Sequence, residues 1–214
     1  MTQYKAKTIC YGNYRGGVLE AGANTREYLN PNIAVTSAGF QKFVGEDKTR
    51  PINQIEEWKD FPKIAEYLRE HNQRDVITIP GMLETDLVLP VDGLIKRHLE
   101  TELYQAHPEA KARFYTVLDF LRIHDPEIAR ILQERNHGQI EQYDLDDAVV
   151  STNQLIRNLT KFNNGKPGNF YSVFSGPIIL DNTAKVHEAE KKDLIEIFQR
   201  LPYALNKYFL GKKE

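Results

Sequence analysis

The 214-residue sequence has a single cysteine, one tryptophan and no excess of either charge. The lone Cys10 excludes an internal disulfide and favours a reducing compartment. Twenty-eight basic and thirty acidic residues give a formal net charge of -2, so the strongly basic character of a duplex-binding domain is missing. No apolar run approaches the roughly 20 residues of a membrane-spanning helix, and the N-terminus lacks an apolar signal core. From these absences we expect a cytoplasmic protein that has no membrane partner. The composition also carries no strong nucleic-acid-binding signal.

The rest of the composition is that of an ordinary globular protein, with 41% apolar and 27% charged residues. A chain of this length forms one large domain or two small ones. Short β-branched runs at 8–14 and 33–37 predict strands, and regular helical periodicity begins only at residue 52. We therefore expect an extended, strand-containing N-terminal region over 1–51 and a helical body over 52–214 with a strand segment near 169–180.

Helical periodicity dominates that body. Caps, prolines and apolar spacing predict helices over 52–58, 60–71, 92–106, 108–124, 125–136, 146–162 and from 183 onward. The run DVITIP at 75–80 has the strongest strand pattern, and LVLP at 87–90 is a second strand candidate. The expected fold class is α+β, predominantly helical, and the alternative is a small α/β sheet flanked by helices.

The segment KTICYGNYRGGVLEAGANT at 7–25 begins as a strand and continues into a glycine-rich stretch. The run RGGV at 15–18 resembles the first half of the K-G-G-V-G-K-T loop of the ParA/MinD partitioning ATPases, which implies a nucleotide-binding loop. The run LEA at 19–21 replaces the second half, so the lysine is lost and a carboxylate stands where phosphates would lie. The sequence therefore predicts a glycine turn here, with a degenerate ParA/MinD-like nucleotide-binding protein as an alternative.

Cys10 is a candidate nucleophile by residue type alone. A free cysteine in a strand is commonly a small core residue, and that is the interpretation we favour from the sequence. The chain contains neither a G-x-S-x-G elbow nor an H-E-x-x-H motif. The sequence therefore leaves the catalytic residues unknown and predicts no cofactor.

A second alternative is a metal-dependent phosphohydrolase of the HD type. His124 and Asp125 are adjacent at the end of an apolar helical stretch, and His98 lies upstream, so the three are candidate metal ligands. Asp125 also stands directly before Pro126 and Glu127, where a helix N-cap is expected. A capping role accounts for this aspartate without a metal.

Four tyrosines crowd the first 28 residues. Tyrosine and arginine are enriched at protein interfaces, although each ring by itself is more often part of its own core. The candidate interface residues are Tyr4, Tyr11, Tyr14, Arg15 and Tyr28. The leading hypothesis is a non-catalytic interaction or assembly protein that binds a protein partner or self-associates, and the sequence leaves open whether the chain is an enzyme.

Overall fold

Three parallel strands among the described residues form the sheet at the centre of the molecule. The computed structural model describes residues 3–91, 93–101, 105–108, 114–127, 130–131 and 183–211. Strand β1 (Tyr4–Ile9) lies between β2 (Ile33–Ala38) and β3 (Leu87–Pro90), and both pairs are parallel. Every residue of β3 is buried, as expected for a parallel sheet that is covered on both faces.

The register aligns the carboxyl ends of the three strands at one edge of the sheet. Ile9, the last residue of β1, pairs with Ala38 of β2 and with Pro90 of β3. The N–H of Cys10 then donates to the Ala38 carbonyl at 3.3 Å. The N–H of Val91 donates to the Ile9 carbonyl at 2.9 Å. The chain after β1 therefore leaves from the middle of this edge, with a strand on either side.

Helices cover the sheet. In chain order they are α1 (Tyr14–Asn24), α2 (Gln41–Val44), α3 (Ile52–Glu56), α4 (Pro62–Glu70), α5 (Ile79–Leu83), α6 (Gly93–Leu99), α7 (Val117–His124) and α8 (Thr183–Leu210). Helix α1 connects β1 to β2 and packs against β2, α4 and α8, while α7 packs against β3 and α8. The strands of the sheet and the helices on it share one apolar core.

Helices α1 and α8 approach each other closely at Gly22. A Cβ atom added to Gly22 would lie 2.3 Å from Cβ and 2.5 Å from Cγ of Phe198. The Phe198 ring is fully buried and makes edge-to-face contacts with the rings of Trp58 and Phe61. Only a residue without a side chain lets the two helices approach this closely.

The expectation of a predominantly helical α+β fold is wrong, and the alternative of an α/β sheet flanked by helices is confirmed. The predicted strands at 33–37 and 87–90 are present as β2 and β3. The sheet joins residues from both sides of the expected boundary at residue 51, because β3 pairs directly with β1. The strand segment near 169–180 and the helix over 146–162 lie outside the described residues.

The run DVITIP at 75–80 does not form a strand of the sheet. Val76 makes one isolated parallel bridge to Gly39, and the chain then turns into α5. The side chain of Thr78 caps that helix by accepting the N–H of Gly81 at 3.2 Å. Local capping therefore wins over β-propensity after a single bridge.

None of the described helices is long and apolar enough to cross a membrane.

Candidate functional site

A short loop of four residues, Cys10 to Asn13, connects the end of β1 to the start of α1. The N–H of Asn13 donates to the carbonyl of Cys10 at 3.4 Å, which closes the loop into a turn. Asn13 adopts the left-handed conformation, with φ 56° and ψ 29°, and asparagine is one of the few residues that accept it. This turn reverses the chain so that α1 starts beside the strand it has just left.

The Cys10 side chain lies at the amino end of α1. Its sulfur accepts the backbone N–H of Gly16 at 3.3 Å, and only 5% of the residue is exposed. Helix α1 begins at Tyr14, so the first-turn N–H groups have no acceptor within the helix. A sulfur at this position lies in the positive field of the helix terminus, which favours a negative charge.

Two close contacts hold the loop in place. The buried hydroxyl of Thr8 donates to the carbonyl of Gly16 at 2.9 Å, which ties the first turn of α1 to β1. On the other side Gly39 follows β2, and a Cβ atom there would lie 2.7 Å from both the nitrogen of Asn13 and the oxygen of Tyr11. Because both are backbone atoms that cannot move aside, only glycine allows this packing.

A buried arginine approaches the same loop from a distant part of the chain. Arg50 lies between α2 and α3 in the sequence and is 5% exposed. Its Nη1 donates to the Asn13 carbonyl at 3.0 Å, and its Nε has no hydrogen-bond partner among the described residues. Burial lowers the pKa of Arg50, and the charges of Glu20 and Cys10 act against that change. The guanidinium keeps its positive charge because an arginine does not lose its proton in a protein.

A cavity of about 220 Å³ opens beside the loop, and Asn13, Gly17, Glu20, Ser37, Arg50 and Tyr67 are among its lining residues. The Glu20 carboxyl accepts the hydroxyls of Ser37 and Tyr67. Burial raises the pKa of Glu20, and those two hydrogen bonds oppose the shift. Burial and the neighbouring Glu20 raise the pKa of Tyr67. The cavity thus brings the Glu20 carboxyl and the positively charged Arg50 guanidinium together behind the loop.

The loop also occupies the position in the sheet where ligands are most often found. Strand β1 is central, its connection through α1 leads to β2 on one side, and β3 lies on the other side. In open α/β sheets ligands bind outside the carboxyl ends of the strands at such a switch point. The Cys10 sulfur, a helix amino terminus and a buried arginine therefore meet at the preferred ligand position, an arrangement suited to an anion.

Solved structures with a similar architecture are known. The arginine phosphatase YwlE from Geobacillus stearothermophilus has a TM-score of 0.53 and 16% identity, and the match covers 99% of each chain. A low molecular weight protein tyrosine phosphatase from Bacillus subtilis has a TM-score of 0.50 and 16% identity, covering 95% of this chain and 97% of that one. A protein tyrosine phosphatase from Entamoeba histolytica has a TM-score of 0.50 and 10% identity, and the match covers 98% of this chain and 99% of that one.

The chain has the fold of the low molecular weight tyrosine phosphatases. No family model matches it, and no curated protein matches it significantly. The expectation of a non-catalytic interaction or assembly protein is corrected by this comparison, because the solved structures that share the fold are phosphatases.

The five candidate interface residues are spread over β1, the loop after it, the first turn of α1 and the segment between α1 and β2. Tyr14 and Arg15 are buried in the first turn of α1, and the Tyr14 hydroxyl donates to Glu57. The remaining rings pack within the chain: Tyr4 stacks on Phe209, Tyr28 stacks on Tyr203, and Tyr11 makes tilted contacts with Phe40 and Phe43. Self-association through them stays a prediction.

The three candidate metal ligands have other partners. Asp125 forms a two-pronged ion pair with Arg200, at 2.8 and 2.9 Å. His98 packs on the ring of Phe40, and His124 packs on the ring of Phe120. No group of three or more potential metal-ligating side chains occurs within the described part of the chain. Asp125 also lies at the carboxyl end of α7, directly before the helical residues Pro126 and Glu127, so its N-cap role at the start of the next helix stays a prediction.

The expected glycine turn at 15–18 is helical, since α1 starts at Tyr14. The ParA/MinD-like alternative is therefore also wrong, because the RGGV run is part of a helix and does not form a phosphate-binding loop. Sequence reasoning treated Cys10 as a core residue and did not single out Asn13 or Arg50. The available signal was a cysteine at a strand end followed, after one intervening residue, by Gly12-Asn13, a pair that favours a left-handed turn.

Proposed function

We propose that this protein is a phosphatase whose nucleophile is the thiolate of Cys10. The observation that carries the proposal is the 3.3 Å hydrogen bond from the Gly16 N–H to the Cys10 sulfur at the amino end of α1. The thiolate, not the thiol, is the nucleophilic form, and helix amino termini favour it. The phosphatase fold of the neighbours supports the proposal.

The loop and the helix terminus would hold the phosphoryl group. The first-turn N–H groups of α1 supply donors, and the left-handed Asn13 between the loop and the helix makes the concave backbone typical of anion sites. Such fixed donors stabilise the charge that is spread over the phosphoryl oxygens in the transition state. The site therefore binds the transferred group through its backbone, and the reacting atom is the sulfur.

The reaction follows from these groups in two steps. The Cys10 thiolate attacks phosphorus, so an S–P bond forms while the bond from phosphorus to the leaving group breaks, and the leaving group takes up a proton. Water then attacks the phosphocysteine, which releases inorganic phosphate and regenerates the thiolate. The covalent intermediate divides one difficult displacement into two easier ones.

The substrate is a phosphorylated side chain, phosphotyrosine or phosphoarginine, as the names of the neighbours indicate for those proteins. Two peptides that differ only in the phosphorylated residue distinguish them. Hydrolysis of para-nitrophenyl phosphate tests the chemistry before the substrate is known.

Replacement of the nucleophile is the central test. Cys10→Ser should reduce kcat for para-nitrophenyl phosphate by roughly a thousandfold or more, because a serine hydroxyl without an adjacent base is a poor nucleophile. Iodoacetamide should alkylate Cys10, and inorganic phosphate should protect it. The matched control is Lys63→Met, which removes an exposed charge on α4 and should leave both readouts unchanged. Wild-type turnover that survives Cys10→Ser, or alkylation that phosphate does not slow, would contradict the proposal.

A further inference from the structure

Arg50 is buried against the loop in a way that core packing does not explain. It is 5% exposed, and among the described residues its Nη1 donates to the Asn13 carbonyl while its Nε has no partner. A buried cation with so few hydrogen bonds is costly to the fold. Buried polar groups left unsatisfied in a native structure often have a functional reason.

The bond to Asn13 controls the direction of one backbone N–H. The Asn13–Tyr14 peptide is trans, so its carbonyl and the N–H of Tyr14 point in opposite directions. The carbonyl is anchored to Arg50 on the cavity side of the loop. The first-turn N–H groups of a helix point together out of its amino end. The N–H of Tyr14 therefore points the same way as that of Gly16, which bonds the Cys10 sulfur.

The contact between Arg50 and the first turn of α1 is very close. A Cβ atom at Gly17 would lie 2.5 Å from Nη2 and 2.8 Å from Nη1 of Arg50. The guanidinium thus lies flat on a glycine of the helix whose amino end faces the thiol. Burial lowers the pKa of Arg50, and a negative charge on Cys10 opposes that shift. The positive charge of Arg50 and the helix terminus therefore both act on the Cys10 sulfur.

We propose that Arg50 is a positioning residue for phosphate binding: by holding the Asn13 carbonyl it aims the Tyr14 N–H at the phosphoryl group and adds a fixed positive charge behind it. This inference rests on the proposed phosphatase function. Arg50 acts through the backbone and its field, and it touches neither the sulfur nor the leaving group.

The test measures phosphate affinity separately from folding. The dissociation constant of inorganic phosphate is obtained from its protection of Cys10 against iodoacetamide, and thermal melting reports the fold. Arg50→Gln should raise this constant about tenfold or more, since it removes a charge-assisted contact, and should lower kcat/KM in parallel. Arg50→Lys keeps the charge and should fall between wild type and Arg50→Gln. Arg69→Gln removes an exposed arginine on α4 and should match wild type.

Gly17→Ala gives an independent result if Arg50→Gln does not fold. The added methyl displaces the guanidinium, whose end can move, and should weaken phosphate binding in the same direction while the melting temperature stays near that of wild type. The Arg50 proposal is overturned if the folded variants bind phosphate within about twofold of wild type. A wild-type protein that neither hydrolyses para-nitrophenyl phosphate nor is protected by phosphate refutes the phosphatase function itself, which separates the two failures.

Discussion

The two halves of helix α1 contain the same kind of small residue for different reasons. In the first half Gly16 and Gly17 lie under polar groups, namely the Asn13 side chain and the Arg50 guanidinium. In the second half Gly22 lies under the apolar Phe198 of α8. The first half is held by a few directional contacts, and the second half by close packing. One short helix therefore carries the candidate site at one end and the core at the other.

This comparison predicts that substitutions in one half of α1 mainly change the stability of the fold, and that those in the other half mainly change phosphate binding. The second half should respond mainly in the free energy of unfolding, because close-packed interiors do not absorb an extra methyl. The first half should respond mainly in phosphate affinity.

Gly22→Ala should destabilise the fold by about 1–3 kcal/mol, because the new Cβ would lie 2.3 Å from Phe198 and the ring is confined by Trp58 and Phe61. Chemical denaturation measures the change. The matched control is Gly12→Ala, whose Cβ meets only the Phe43 carbonyl at an ordinary 3.7 Å. Equal stability of the two variants would show that the α1–α8 contact is loose.

Asn13→Ala should be less stable than Asn13→Gly by about 1 kcal/mol, since alanine resists the left-handed conformation that glycine adopts freely and Asn13 has φ 56°. The Asn13 Oδ1 atom has no hydrogen-bond partner among the described residues, so loss of the side chain itself contributes little. Urea titration of both variants checks this. If alanine were as stable as glycine, the turn would have relaxed to another conformation.

Glu20 lies between the two halves and should make stability depend on pH. Its pKa is raised by burial, so the folded protein holds the proton more tightly than the unfolded chain. The stability that this carboxyl contributes is complete below the unfolded pKa and is lost as pH rises through the folded pKa. Over that interval the melting temperature of wild type should fall relative to that of Glu20→Gln.

The control for this experiment is Glu66→Gln, which removes an exposed carboxyl on α4. Its melting curve should run parallel to that of wild type across the same interval. Parallel curves for wild type and Glu20→Gln would mean that Glu20 is solvated in the folded protein.

Parts of the fold were predictable because their signals are local. The runs IAVTS and LVLP are β-branched or apolar and are bounded by turn-forming residues, and both are strands. Pro62 lies in the first turn of α4 as its sequence pattern predicts. In contrast, DVITIP has the same local preference but pairs only at Val76, because the Thr78 cap starts α5 directly afterwards.

The site was not predictable because its parts are brought together by the fold. Arg50 and Asn13 are 37 positions apart, and no spacing rule connects them. The role of Cys10 depends on where α1 begins. Glycines at 16 and 17 oppose helix by propensity, so the sequence indicates a turn there, and the contacts with Thr8, Ser37 and Arg50 make it a helix instead.

The local elements follow from neighbouring residues alone, namely the strands β2 and β3 and the proline-marked start of α4, because hydrophobic period and turn chemistry act over a few residues. Long-range packing makes the strands parallel around β1, starts α1 four residues after Cys10 and brings a distant arginine behind the loop. The physical reason is that a buried helix terminus and a buried cation are stable only in contact with partners from other parts of the chain.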